Sequence, residues 1–236
     1  MGGGQRMKLA MEIPYHHLEE LSKLCDFDFA LGQVVLDQGP KSKYVKFYKK
    51  QSEKGRQVWL DNGWHELRKC LPDNQLLEAA KLIGATHIVA PETRNNAHFT
   101  LYQIFSLWNR IKEAGYSYKV VGCWQGHRKE MFRLLDHCDE VALPFDRPRR
   151  VYLKNKEESG LFHYFGFRSL DELRILPPKS LDTSMPIRAA LYGIDLQDRE
   201  RRPKTPLLDF TIKLTKEQVS QTIRNIFLVR GIEPYG

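Results

Sequence analysis

The stretch Thr86–Gly126, THIVAPETRNNAHFTLYQIFSLWNRIKEAGYSYKVVGCWQG, decides the fold of this chain. Thr86–Ala90 (THIVA) is a short apolar, β-branched run stopped by Pro91, the pattern of a buried strand. A longer helical pattern follows, with Phe99, Tyr102, Ile104, Leu107, Trp108 and Ile111 ahead of Gly115. Tyr118–Cys123 (YKVVGC) is a second strand of the same kind. Strand, helix and strand in that order form the repeating unit of parallel sheets, because parallel neighbours need a long crossover.

The alternation extends in both directions. Upstream, Phe27–Leu36 (FDFALGQVVL) and Gln57–Leu60 (QVWL) read as strands. Asp73 opens a helix with Leu76, Leu77, Ala80 and Ile83 on one face, closed by Gly84. Downstream come a helix from His127 to His137, a strand Glu140–Leu143 (EVAL) and a strand Leu161–Phe165. A helix from Ser169, a short run ending at Leu181-Asp182, a helix after Pro186 and a terminal helix Lys216–Leu228 complete the pattern. About seven strands, each followed by a helix or loop, predict an α/β protein with a compact (β/α)8 TIM-like barrel as a single domain, preferred to a doubly wound sheet. Residues 1–26 are set apart as an N-terminal segment, and 27–236 as the barrel with its C-terminal helix.

Composition narrows the function classes. The 236 residues include 42% hydrophobic residues and 37 Lys+Arg against 29 Asp+Glu, a formal charge of +8, which excludes wholesale disorder. No apolar run approaches the ~20 residues of a membrane span, so no membrane partner is expected. The start MGGGQRMKLAMEIP lacks a signal-peptide core. Cys25, Cys70, Cys123 and Cys138 are widely spaced, without the pairing of a disulfide framework or a closed zinc site. A reduced, cytoplasmic protein with no metal and no cofactor is the expectation. The basic excess is clustered at Lys41–Arg56 (with Lys46, Lys49 and Lys50), at Arg147–Lys156 (with Arg147, Arg149 and Arg150) and at Arg199–Lys204. Such clusters are solvated loops or a polyanion surface; the interleaved Tyr44, Phe47, Tyr48 and Tyr152 give the nucleic-acid reading equal weight.

In a parallel barrel the functional face is the carboxyl end of the strands. There the sequence places Asp61-Asn62-Gly63-Trp64-His65-Glu66 after QVWL, Pro91-Glu92-Thr93 after THIVA, Trp124-Gln125-Gly126 after YKVVGC, Pro144-Phe145 after EVAL, and Asp182-Thr183-Ser184 after the last strand. Carboxylates and an amide converging on one rim suit acid–base work on a purine.

These segments resemble the tRNA-guanine transglycosylase superfamily, and most of all its compact DpdA-type branch, the DNA 7-deazaguanine transglycosylases of phages and bacteria. Leu60–Glu66 (LDNGWHE) resembles that branch's LDNGxxE, and Val121–Gly126 (VGCWQG) its VQG strand end. His163–Gly166 (HYFG) resembles the YLMG segment, and Ser180–Pro186 (SLDTSMP) sits where the family carries its nucleophilic aspartate. Order and spacing agree from Phe27 to Ile194, and the zinc subdomain of the tRNA enzymes has no counterpart here.

The resemblance implies exchange of guanine in DNA for a 7-deazaguanine base without strand cleavage. Asp182 is then the nucleophile at C1′, the alternative being an Asx-turn or helix cap. Asp61 is the general acid/base, the alternative being a turn former. Glu92 and Gln125 would read the Watson–Crick edge, with Gly126 and the Ala142–Leu143 backbone adding peptide hydrogen bonds, and Phe165 and His65 would stack on the base. Glu92 stands near the family's usual aspartate, and His65 where it usually has Phe or Tyr. His163 and His127, lone histidines, read as satisfied core residues. The partners implied are DNA and a 7-deazaguanine base, with the chain a monomer or weak dimer in the cytoplasm of its host. The same chemistry on tRNA, or a non-catalytic nucleic-acid-binding partner subunit on this fold, are the other readings.

Overall fold

The computed structural model describes residues 6–145, 149–198 and 208–231. These residues include the strands β1 (Lys8–Ala10), β2 (Asp28–Leu31), β3 (Val58–Asp61), β4 (His87–Val89), β5 (Lys119–Cys123), β6 (Glu140–Leu143), β7 (His163–Phe165) and β8 (Ser180–Asp182), with helices after each. Contacts divide the chain into two units, 27–144 and 1–26 with 145–236.

In the first unit β2 to β6 pair in parallel in chain order, with Leu31 opposite Asp61, Leu60 opposite Ile88, Val89 opposite Val121, and Cys123 opposite Ala142. Nearly every strand residue is buried. Helices cover these strands, which is why they read as short apolar runs without alternation. The run Phe27–Leu36, expected as one strand, divides: β2 ends at Leu31 and Gly32–Gln38 is helical. An apolar run cannot distinguish the two by periodicity, and here Gly32 makes the switch. A Cβ on Gly32 would lie 2.6 Å from the Asp61 carbonyl oxygen, so only glycine lets the chain turn this close to β3.

The lysine-rich cluster also takes a definite form. Lys43–Glu53 is a helix capped by Ser42, whose Oγ accepts from the Val45 N–H. It buries Tyr44, Val45, Phe47 and Tyr48 and exposes Lys46, Lys49 and Lys50. The Tyr44 hydroxyl accepts from the Leu31 N–H at 3.0 Å, and the Tyr48 hydroxyl donates to the Phe29 carbonyl at 3.0 Å. Those two groups lie on the edge of β2 turned away from β3. The aromatics expected beside the lysines on a nucleic-acid surface are therefore core residues that complete the hydrogen bonding of a strand edge. Lys49 and Lys50 fall in the half of the helix that leads to the amino end of β3, away from the strand ends that carry Asp61.

In the second unit β1, β8 and β7 pair in parallel. β1 is the strand that sequence patterning misses: three residues led by a lysine give no periodicity to detect. Its far edge is closed by Asp26, which donates its N–H to the Leu9 carbonyl at 2.7 Å and accepts the Leu9 N–H on Oδ2 at 2.8 Å. Arg230, just past the terminal helix Lys216–Val229, pairs with the same Oδ2 at 2.9 Å. That helix opens with a Thr215/Gln218 capping box, and its Asn225 amide donates to the Pro186 carbonyl at 3.2 Å, fixing it to Met185–Leu191.

Gly32→Ala should destabilise the protein by ~1–3 kcal/mol through overpacking against β3. Urea unfolding with helicity as the readout measures it; an unchanged midpoint would show that the close approach is not a constraint.

Candidate active site

Two groups of polar side chains stand at the carboxyl ends of the strands, one in each unit. In the 27–144 unit the group is built on the ends of β3, β4 and β5. Asp61 closes β3, and its Oδ2 accepts the Gly63 N–H at 2.7 Å. Asn62 is buried, donates to the Ala90 carbonyl at 2.8 Å and accepts the Trp64 N–H at 2.9 Å. Gly63 has φ +82°, which begins the short helix Trp64–Leu67. The Asp-Asn-Gly segment is thus a strand-to-helix corner and not a hairpin turn. His65 projects from that helix as an exposed residue.

Glu92 and Gln125 are both buried, and they meet: the Gln125 amide donates to Glu92 Oε2 at 2.5 Å. Gln125 Oε1 also accepts the N–H of Asn95 at 3.1 Å, a residue held at φ +60°. The Cys70 thiol brackets the Glu92 backbone, accepting its N–H at 3.2 Å and facing its carbonyl at 3.5 Å. Burial pushes the Cys70 thiol up to about 12, so it stays neutral. Gly126 has φ +104°, and a Cβ there would lie 2.9 Å from that of Ala97. Ala142 and Leu143 are buried in β6, and the Ala142 carbonyl accepts the Trp124 N–H at 2.8 Å. That acceptor, expected to face a base, is used within the sheet.

In the other unit the group is centred on Asp182 at the end of β8. Its Oδ1 lies 2.8 Å from His163 Nε2, and His163 Nδ1 lies 2.9 Å from Ser180 Oγ. Register explains the arrangement: His163 is opposite Ser180 and Phe165 opposite Asp182, so four side chains two residues apart share one face of β7 and β8. Phe165 is half-buried and meets the His163 ring edge-on, with centroids 5.1 Å apart. Asp182 is only 4% exposed. Burial pushes its carboxyl up from the ordinary range to about 8, and the charge of Arg149 pulls the other way.

Arg149 corrects an expectation. It was placed on a nucleic-acid surface, yet its side chain is fully buried, pairing with Glu172 at 3.4 Å, donating to the Phe165 carbonyl at 3.0 Å and lying 3.9 Å above the Tyr164 ring. Burial lowers its pKa and the Glu172 carboxylate opposes that loss. A guanidinium so enclosed cannot reach a phosphate. Arg150 is exposed, as are Lys46, Lys49 and Lys50; Arg147 and the Arg199–Lys204 cluster lie outside the described residues.

His163 is the residue whose role sequence reasoning did not find. It is a satisfied core histidine, but one of its two partners is the candidate nucleophile. The signal is the pair of patterns His-x-Phe and Ser-x-Asp, which carries meaning only once the register of β7 on β8 is known. Cys70 and Asn62 carry no signal of their own.

A solved structure of a candidate dihydrodipicolinate synthetase from Pseudomonas aeruginosa is similar to this chain over 95% of its length and 82% of that protein's, with a TM-score of 0.50 and 10% sequence identity. Likeness at that identity shows the fold alone: the chain is a (β/α)8 TIM-like barrel. A scan of protein-family models matches none, and a search of curated proteins finds no match. Among the described residues no helix is long and apolar enough to cross a membrane.

A raised carboxyl pKa means the folded chain keeps a proton that the unfolded chain releases. Its stabilising contribution is full below about pH 4, the ordinary carboxylate value, and is lost as pH rises through the folded value. The stability of Asp182→Asn relative to the parent should therefore rise steadily from about pH 4 to about pH 8. Thermal melts across that range check it, and a difference that does not vary with pH would contradict a protonated Asp182.

Proposed function

We propose that the chain is a DNA guanine transglycosylase that exchanges guanine for a 7-deazaguanine base, of the preQ0 kind, through a covalent aspartyl–C1′ intermediate, so protecting DNA from restriction. The observation that carries this reading is Asp182 at the carboxyl end of β8, paired with His163 and flanked by the half-buried ring of Phe165. A carboxyl held protonated is not a nucleophile, and His163 Nε2 is placed to take that proton. The freed carboxylate then attacks C1′ of a nucleotide turned out of the stack. The C1′–N9 bond breaks, its electron pair leaves on N9 of guanine, and Asp61 as general acid protonates the departing base. Asp61 then takes the N9 proton of the incoming 7-deazaguanine, whose N9 attacks C1′ and expels the Asp182 carboxylate. Asp61 closes β3 and Asp182 closes β8; it is the resemblance to the transglycosylases that assigns both to one reaction.

Glu92 and Gln125 have the donors and acceptors for a guanine edge: the carboxylate for N1–H and the 2-amino group, the amide for O6. Their mutual hydrogen bond occupies those groups until a base displaces it. His65 and Phe165 are the candidate stacking walls, and the exposed Lys46, Lys49, Lys50 and Arg150, together with Arg147, are candidates for phosphate contact. Lys49 and Lys50 are the weakest of these, given the end of the helix they occupy. tRNA is the other polynucleotide substrate the reading allows.

One observation favours a second reading. Asp182, His163, Glu92 and Gln125 all find partners within their own clusters, as structural polar networks do. On that reading the chain is a non-catalytic nucleic-acid-binding subunit.

Nucleoside mass spectrometry decides between them, with single-stranded DNA, duplex DNA and tRNA each incubated with a panel of 7-deazaguanine bases. The expected result is a 7-deaza-deoxyguanosine peak with the parent protein that falls by at least about a thousandfold with Asp182→Ala, as loss of a covalent nucleophile requires. No peak on any polynucleotide that the protein binds would overturn the enzyme reading and leave the binding subunit.

A further inference from the structure

The helix Ala97–Glu113 buries Thr100, Ile104, Leu107 and Ile111 and turns four large rings outward. Phe99, Tyr102, Phe105 and Trp108 are 46, 64, 44 and 39% exposed. The helical pattern in the sequence groups Phe99, Tyr102 and Trp108 with Ile104, Leu107 and Ile111. The observed geometry separates them, because a three-residue step advances only about 300° around a helix and winds the aromatics across its solvent side. Scattered exposed hydrophobes are ordinary, whereas a continuous band of rings marks an interaction surface.

The band is already paired with cations and arranged for stacking. Phe99 and Tyr102 lie nearly parallel, 27° apart with centroids at 5.8 Å. Lys112 Nζ sits 3.4 Å above the Trp108 ring. Phe105 meets His137 at 5.3 Å, and on the neighbouring helix Arg128–Leu135 the Arg128 guanidinium lies 4.7 Å over Phe132. Arg94, Lys112, Lys129 and Arg133 are exposed on these two helices and their leading loops. Of the carboxylates there, Glu130 accepts the His127 N–H, Asp139 the Val120 N–H, and Asp73 the Ser106 hydroxyl and Arg110, while Glu113 and Asp136 are exposed.

We propose that this face is a stacking platform for a single-stranded nucleic acid, its rings receiving bases and its cations the phosphates. Successive rings rise about 4.5 Å along the helix axis and turn about 60° around it, with the Phe99 and Tyr102 centroids 5.8 Å apart, within reach of neighbouring bases on an extended strand. Aromatic rings beside basic groups are how proteins hold single strands without reading sequence. The exposed Lys112, Lys129 and Arg133 suit a phosphate backbone better than a second copy of the same basic face.

The proposal goes beyond base exchange and does not depend on Asp182, so its test measures binding alone, with no free base present. Anisotropy of a labelled oligothymidylate, with a duplex of equal length alongside, gives both affinities, and tryptophan emission reports contact at Trp108. The single strand should bind more tightly than the duplex, weaken with added salt and quench emission. Tyr102→Ala with Phe105→Ala should reduce single-strand affinity at least tenfold with an unchanged thermal melt, as loss of base stacking predicts. Trp108→Phe should keep most of the affinity and lose the quench. Parent-like binding by the double variant, or no binding of the single strand by the parent, would overturn the proposal. So would a dimer of the parent in light scattering that the double substitution dissolves, which would make the face a self-interface. Binding retained without base exchange would count against Asp182 chemistry and leave the platform standing.

Discussion

Everything at the carboxyl end of the 1–26 and 145–236 unit is organised around one enclosed positive charge. An unpaired guanidinium away from water costs several kcal/mol, so Arg149 obliges its surroundings to supply compensation. Glu172 supplies the countercharge from the helix Leu170–Ile175, Phe165 supplies a carbonyl from the end of β7, and Tyr164 a ring face. Glu172 is itself fixed by accepting the Arg168 N–H at 2.8 Å, and Arg168 reaches the Phe145 carbonyl at 3.0 Å. One buried charge therefore sets the loop after β7, the helix that follows it and the electrostatic field at Asp182.

That field gives Asp182 its character. Burial favours the neutral carboxyl and the charge of Arg149 favours the ionised one, so the two oppose each other at a group that also lies 2.8 Å from His163 Nε2. Proton position at such a pair responds to small changes in surroundings. The other cluster is built differently. Glu92 and Gln125 are joined by a direct hydrogen bond, and the backbone near Asn95 and Cys70 holds both in place.

The fold was largely legible in the sequence, because its strands are fully covered and so appear as short apolar runs with strong punctuation. EVAL is a strand over those same four residues, and Asp73–Ile83 is a helix closed by Gly84. The misreadings share a cause. Where an apolar run changes from strand to helix without a polar break, as at Gly32, the deciding fact is how near another backbone passes. Where a strand is three residues long and begins with a lysine, as β1 does, there is no period to detect. The strand-end positions of Asp61, Glu92, Gln125 and Asp182 were legible, but their pairings were not. That Arg149 faces inward and the lysines of Lys43–Glu53 face outward depends on helix phase, which a count of basic residues does not contain.

The strand edges closed by side chains bear on how the protein behaves when crowded. β1 and β2 each have a flank that no strand described here occupies, and an open flank of N–H and C=O groups is a template onto which a foreign strand can add. Tyr44 and Tyr48 fill that flank of β2, and Asp26 fills that of β1 under the clasp of Arg230. The two tyrosines and the aspartate thus satisfy, from within the chain, the backbone groups that a foreign strand would need in order to add, the same end that edge strands reach by charge or proline.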